Sequence, residues 1–363
     1  MSKFSLNIMR SAEMVYPANK IVVNARILHG PITGLQRYAL ELLGRLASEV
    51  EQIQPKKPLS RINGVLWEQV ALPVQLKGRL LWNPHNSGPL AVKRQVVTMH
   101  DVSPLDHPEW FDPLFARWQR FLIPQLVKRA QRIITISNFS KSRLQELCNI
   151  SEEKITVIPN GVDQRFKPQQ EDVISDVREY LKIPSPHYVL CVGTIEPKKN
   201  IPRLLKAWKI ICKQIPSDVW LVLAGITGNI EVFREERIKD IPSRVYITGH
   251  VEDAQLPALY AGALASIYVS LYEGFGLPPL ESMATGTPVL TSNLTSLPEV
   301  VGDAAITVDP YDEEAIAAAL QRIIDDSEIR RCLSQKGMAR VVQFSWDKAA
   351  ILTKQCLLDS VLV

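Results

Sequence analysis

Residues 273–281 read EGFGLPPLE: Glu273 and Glu281 stand eight positions apart and enclose a Gly-Phe-Gly-Leu turn and a proline pair. An apolar run from Ala265 to Tyr272 precedes them, long enough for a buried strand. After Pro279 a helix-like stretch runs to Gly286, and Pro288 opens the next apolar run. The segment reads as strand, glycine turn and helix N-terminus. In that geometry backbone N–H groups and the positive end of a helix dipole converge on one spot, which suits a phosphate. A carboxylate on each side adds strong acceptors for the hydroxyls of a sugar and a ribose. Phosphate donors flanked by hydroxyl acceptors describe a nucleotide-sugar pocket. Spacing alone leaves a plainer reading open, because such turns are common and the dipole by itself favours a glutamate early in a helix.

Outward from this segment the chain alternates strand and helix, the mark of parallel α/β sheets. Lys20 to Ala25, Val96 to Met99, Arg132 to Ile136 and Lys154 to Ile158 read as strands of a first half. Helices are predicted from about Leu35 to Ala47 and over Ser140 to Cys148. Residues 164–188 are polar and proline-spaced apart from an amphipathic stretch, Val173 to Leu181, and read as a linker with a lead-in helix. A second half restarts with strands at Tyr188 to Val192, Trp220 to Ala224, Arg244 to Ile247, Ala265 to Ser270 and Val289 to Ser292. Its first helix is predicted from about Asn200 to Lys213. The last segment, FSWDKAAILTKQCLLDSVLV, reads as an amphipathic helix with Ser345 as N-cap. The expected domains are 1–168 and 169–345, with 346–363 as a terminal helix. Ligands in such sheets bind at the carboxyl ends of strands, where the motifs lie.

The 363 residues are 46% hydrophobic and 22% charged, enough for two full cores. A net charge of +4 from 42 basic and 38 acidic residues gives no reason to expect nucleic acid as a partner. The five cysteines are scattered and never spaced as CxxC, so reduced thiols in a cytoplasmic protein are expected. No apolar run reaches the roughly 18 residues of a membrane span. The histidines show no metal-ligand spacing and Asp-x-Asp is absent, so no metal or other cofactor is expected.

Six other segments carry candidate chemistry. CVGTIEPKKN, residues 191–200, leaves a strand and enters a helix, with Thr194, Lys198 and Lys199 in the turn and Asn200 as a plausible cap. A fixed cation there would stabilise charge building on a leaving diphosphate; a solvated lysine pair is the plainer reading. VVTMHDVSP, residues 96–104, ends a buried strand on His100 and Asp101, or is a simple Asp turn. HGPITGLQRY, residues 29–38, sets Gly34 at a helix entrance and Arg37 in its first turn, facing either the cleft or solvent. It lacks the dinucleotide glycine fingerprint, which counts against a dehydrogenase. TGHVEDAQL at 248–256, VIPNGVD at 157–163 and SLPEVVGDAA at 296–305 complete the set.

Together with residues 273–281, these segments resemble the family 4 retaining glycosyltransferases, with their E-x7-E signature, over nearly the whole chain. The resemblance implies a GT-B fold: two Rossmann-like α/β/α domains facing across a cleft, the C-terminal helix crossing back to the first. It implies transfer of a hexose from a nucleoside diphosphate sugar to a lipid-linked or polysaccharide-precursor acceptor, without a metal. It assigns catalysis to His100, Asp101, Lys199 and Glu273. It assigns donor binding to Gly34, Thr194, Lys199, His250, Val251, Glu273, Gly274, Phe275, Gly276, Leu277 and Glu281. Many family members carry arginine where this chain has Thr194, which leaves Lys199 as the main phosphate cation. UDP-glucose is preferred to GDP-mannose as donor, though no residue argues for it. The rival readings are a sugar-nucleotide epimerase or hydrolase of the same fold, and an inactive glycan-assembly scaffold.

One segment differs in character. From Pro113 to Gln145 there is no acidic residue, while Arg117, Arg120, Lys128, Arg129, Arg132, Lys141 and Arg143 are basic. Trp110, Phe111, Phe115, Trp118 and Phe121 are interleaved with the first of them. Such a surface over 110–145 suits peripheral contact with an anionic membrane, on its inner face. The other reading places the aromatics in a core, with Pro124 breaking any long helix.

Overall fold

The computed structural model describes residues 21–30, 33–194, 196–225 and 241–362. Two six-stranded sheets dominate, with every neighbouring pair parallel. The first holds β1 (Ile21–Asn24), β2 (Glu51–Ile53), β3 (Leu80–Asn83), β4 (Gln95–Met99), β5 (Arg132–Thr135) and β6 (Ile155–Val157), in the order β2-β1-β3-β4-β5-β6. The second holds β7 (Tyr188–Val192), β8 (Trp220–Ala224), β9 (Val245–Gly249), β10 (Ala265–Tyr268), β11 (Val289–Ser292) and β12 (Ala305–Val308), in the order β12-β11-β10-β7-β8-β9. Helices cover both sheets, so central strands such as β3 and β4 are buried along their whole length.

Strand order places the site. From β7 the chain builds outward through β8 and β9, then returns to the other side of β7 to lay down β10. The connections leaving β7 and β10 therefore diverge, and a crevice opens at their carboxyl ends. The first sheet reverses in the same way between β1 and β3.

The terminal helix Trp346–Leu362 begins where Ser345 Oγ accepts from the backbone of Asp347 at 3.2 Å and Lys348 at 3.4 Å. It crosses back to the first sheet: Trp346, Ala349, Leu357 and Val361 share one core with Ile21, Leu42, Leu80 and Trp82. Arg45 and Lys354 pin the crossing by ion pairs to Asp347 and Glu49, each at 2.6 Å. The expected lead-in helix is Glu171–Tyr180. Four of the five cysteines are buried and all are free.

The sequence predicts a break at Pro124, yet the helix Pro113–Arg129 runs through it. A mid-helix proline costs about 3 kcal/mol. Leu122, Ile123, Leu126 and Val127 flank it and are wholly buried, and their packing outweighs that cost. The expected basic aromatic surface over 110–145 is also reduced. Phe111 is buried, Trp110 stacks on His107 at 3.9 Å, and Arg143 and Lys141 are taken up by Asp106 and Glu152.

Candidate functional site

At the crevice between β7 and β10, Lys199 and Glu273 meet. Lys199 Nζ lies 2.7 Å from Glu273 Oε1 and also bonds the hydroxyl of Tyr268, which closes the triangle by donating to Glu273 Oε1 at 2.9 Å. Tyr268 is the last residue of β10, and Lys199 ends the turn after β7, so the sheet itself brings them together. Burial disfavours the lysine's charge, but Glu273 and Glu196 outweigh it and hold the ammonium above its ordinary value. Burial likewise pushes Glu273 up, while Lys199 and Lys198 pull harder and leave it below the usual carboxylate range. The site therefore keeps a half-buried cation beside a buried anion at the end of the strands.

The turn that carries Lys199 depends on close backbone approach. Gly193 has φ 153°, and a Cβ on Gly225 would sit 1.9 Å from the Gly193 carbonyl oxygen. Thr194 gives its hydroxyl to the Glu196 carboxylate. Asn200 holds the helix start with φ 60°, but its side chain does not cap. It instead donates to the carbonyls of Val269 at 3.1 Å and Pro310 at 2.7 Å, tying the turn to the strand end beside Glu273.

The turn Gly274–Leu277 opens the helix Leu277–Ala284, with Pro278 and Pro279 in its first turn. Both prolines lack an N–H, and Leu280 N already bonds Gly276 O at 3.3 Å. Free donors for an anion must therefore come from the turn backbone itself. Ser296 Oγ clamps that turn, donating to the carbonyls of Glu273 at 2.9 Å and Phe275 at 2.7 Å. Gly276 needs its glycine: φ is 127°, and a Cβ would stand 2.8 Å from Leu297. Phe275 is buried in the core and Leu277 packs against it, leaving their main chain for the site. A Cβ on Gly274 would lie 2.1 Å from the His100 carbonyl oxygen, so the two halves touch there. Gly34 stands across the same seam, its Cβ position 3.8 Å from Leu277.

Glu281 lies on the inner face of that helix, 6% exposed. Tyr260 donates to it at 3.4 Å, and Arg37 of the first half approaches to 3.9 Å. Arg37 faces the cleft rather than solvent: it bonds Asp253 at 2.8 Å, which Arg165 bonds in turn at 3.1 Å. Burial pushes Glu281 above its ordinary value, against the pull of Arg37 and Arg165.

His100 is buried, edge-on to Tyr38 with ring centroids 4.6 Å apart. Its Nε2 faces the Pro84 carbonyl at 3.0 Å, and a carbonyl can only accept. The ring is thus held with the proton on Nε2 and the lone pair on Nδ1. Burial lowers its pKa to about 4, so it is neutral near pH 7. Asp101 uses Oδ1 to accept from Ser103 N at 3.0 Å and Ser103 Oγ at 2.7 Å, an Asx turn that spends that oxygen locally. His250 is exposed beside Glu252 at 3.4 Å, and Val251 is a core residue, so their side chains take no part in the Lys199 cluster.

Comparison with known proteins points to the glycosyltransferases. The model for group 1 glycosyl transferases matches residues 173–340, and the model for glycosyltransferase family 4 matches residues 80–166. The chain is 29% identical to O-antigen chain mannosyltransferase B of Escherichia coli, an alignment covering 92% of this chain and 98% of that one. Both models describe glycosyltransferases, and the chain is similar to glycosyltransferase family 4. A second relative, O-antigen chain mannosyltransferase RfbU of Salmonella typhimurium, is 29% identical over 79% of this chain and 76% of its own. Among solved structures, sucrose-phosphate synthase of Thermosynechococcus elongatus superposes with a TM-score of 0.73 at 19% identity, over 93% of this chain and 98% of that one. HepE of Anabaena, solved with UDP and glucose, gives 0.72 at 18%, over 93% and 99%. These likenesses establish the GT-B fold.

Sequence reasoning missed several residues around the site of this glycosyltransferase. Tyr268 bonds both members of the central pair but lies within an apolar run and reads as strand filler. Asp253 pairs with Arg37 across 216 residues and with Arg165 across 88, separations that no local pattern encodes. Ser296 falls in a segment already matched to the family, yet its clamp on the turn had no signal of its own.

Proposed function

We propose that this chain transfers a hexose, with retention and without a metal, from a nucleoside diphosphate sugar to a lipid-linked or polysaccharide-precursor acceptor in cell-surface glycan assembly. The observation that carries the reading is the Lys199–Glu273–Tyr268 cluster at the strand ends where the second sheet reverses. Its ammonium is the cation for the leaving diphosphate. The Gly274–Leu277 backbone donates to phosphate, Glu273 accepts from the donor sugar hydroxyls, and Glu281 accepts from the ribose. Neutral His100, with its lone pair on Nδ1, lines the sugar side. The acceptor oxygen bonds to the anomeric carbon as the sugar–phosphate bond breaks, and the acceptor proton passes to the leaving phosphate oxygen on the same face. Asp101 has no step in this scheme.

The relatives move the donor preference. The preference for UDP-glucose has no residue behind it, whereas the relatives at 29% identity bear the names of mannosyltransferases, so mannose, carried on GDP, is preferred here. The test is a panel of UDP- and GDP-sugars read by thermal shift and slow donor hydrolysis, with and without chelator. A chelator-insensitive shift with GDP-mannose supports the reading. A shift with UDP-glucose alone returns the donor to glucose, and no shift with any sugar nucleotide overturns the activity.

A further inference from the structure

The helical stretch from Arg61 to Gln75 is turned inside out. Its inward positions are Gly64, Glu68 and Leu72 at four-residue spacing, followed by Leu76. Its outward positions at the same spacing are Ile62, Leu66, Val70 and Val74, which are 74%, 56%, 64% and 78% exposed. A surface helix ordinarily buries such a stripe. Four-residue steps drift by about 40° in an α-helix; the wider π-helical turn Trp67–Ala71 offsets part of that drift and keeps the stripe in line.

The inner face explains why the helix cannot roll over. Glu68, 1% exposed, accepts from Asn24 and Arg26 at 3.0 Å, from His85 at 3.3 Å and from Ser87. Burial pushes its carboxyl up, but His85 and Arg26 outweigh that and lower it to about 2. Gly64 is pressed against Arg26, whose Nη1 would lie 2.8 Å from a Cβ. Turning the apolar stripe inward would strand this charge and its donors without partners.

The surrounding charge is predominantly basic. From residue 54 to 78 the only acidic side chain is the buried Glu68, while Lys56, Lys57, Arg61 and Lys77 are exposed. The neighbouring helix Pro113–Arg129 has no acidic residue and exposes Leu114, Arg117, Arg120 and Phe121. The two helix starts meet where Arg61 bonds Asp112 at 3.1 Å and lies over the Phe115 ring at 5.2 Å.

We propose that the outer face of this helix docks on an anionic lipid bilayer, with Ile62, Leu66, Val70 and Val74 entering the acyl boundary and the lysines meeting the headgroups. The basic rim selects this occupant over a second copy of the chain, whose identical rim would repel it. The surface rests on the proposed lipid-linked acceptor for its purpose only. It also lies apart from most of the 110–145 segment that the sequence pointed to.

The test is co-sedimentation of the full chain with vesicles of phosphatidylcholine alone or mixed with phosphatidylglycerol. Leu66→Ser with Val70→Ser should lower partitioning at least about tenfold. Lys56→Glu with Lys57→Glu should lower it by about fivefold per lysine, only on the mixed vesicles. Both pairs are exposed, so thermal unfolding and donor hydrolysis should match the parent protein. Failure of the parent chain to bind mixed vesicles overturns the proposal, as does unchanged binding by the serine variant. A parent dimer that the serine variant converts to monomer also overturns it, in favour of self-association. Loss of donor hydrolysis in the parent protein with vesicle binding intact would sink the transferase reading and leave the surface standing.

Discussion

Replacing Lys199 by methionine keeps the length of the side chain and removes its charge, which isolates the proposed duty of the cation. In the folded protein the ammonium lies 2.7 Å from the Glu273 carboxylate, the glutamate buried and the lysine side chain 14% exposed. Removing one partner of such a pair costs about 3–5 kcal/mol, because the other charge is left in a poor solvent. The lower end is expected here, since the Tyr268 hydroxyl still donates to Glu273 at 2.9 Å. The cost should depend on pH. The carboxyl of Glu273 sits below its ordinary value in the folded protein, burial pushing it up and Lys199 pulling it down further. Its pairing thus contributes stability above the unfolded carboxyl value, and that stability is lost as pH falls through the folded one. Lys199 sits above its ordinary value, because Glu273 outweighs burial, so its share is present below the unfolded lysine value and lost as pH rises through the folded one. In the methionine variant burial acts on Glu273 with less opposition, its value rises above the unfolded one, and the stability deficit shrinks as pH falls through it. The double variant Lys199→Met with Glu273→Gln leaves no stranded charge and should recover most of the stability. Turnover should not recover: loss of one fixed donor to the developing anion costs about 100-fold. Urea melts across pH, together with turnover at saturating donor, separate the two effects. A double variant within about threefold of parental turnover would refute charge stabilisation by Lys199.

Two further outcomes follow from the seam between the halves. Glu281 lies above its ordinary value because burial outweighs Arg37 and Arg165, and a protonated carboxyl accepts less well from ribose. Donor affinity should therefore weaken as pH falls through that raised value, and Arg37→Ala should move this limb to higher pH; a limb that stays put would show that Arg37 does not act on Glu281. Gly274→Ala places a Cβ 2.1 Å from the His100 carbonyl oxygen, so the halves must part by roughly an ångström, enough to cost about 100-fold in kcat/KM. Thermal unfolding should change little, and full activity in this variant would show that the seam opens freely.

Local pattern was enough for much of the second half. The strands Tyr188–Val192, Trp220–Ala224 and Val289–Ser292 lie where their apolar runs place them. Strands β2 and β3 were not read, because three or four residues bounded by prolines and charges carry no period that separates strand from helix. Asn200 was read as a helix start and is one, but its side chain serves carbonyls 69 and 110 residues away. Lys199, Glu273 and Glu281 were legible because strand-turn-helix punctuation marks the end of a sheet. That Lys199 and Glu273 are one ion pair, completed by Tyr268, depends on β10 lying beside β7.

The helix at 61–75 draws the division most sharply. Its sequence alone determines an apolar stripe at four-residue spacing, and nothing in that spacing says which way the stripe faces. Amphipathicity by itself would turn it inward. The tertiary structure turns it outward, because β1 and β3 bring Asn24, Arg26 and His85 to one place and a buried Glu68 must face them. A stripe of side chains is encoded locally, whereas the partners of a buried charge are gathered from across the chain, and the charge decides.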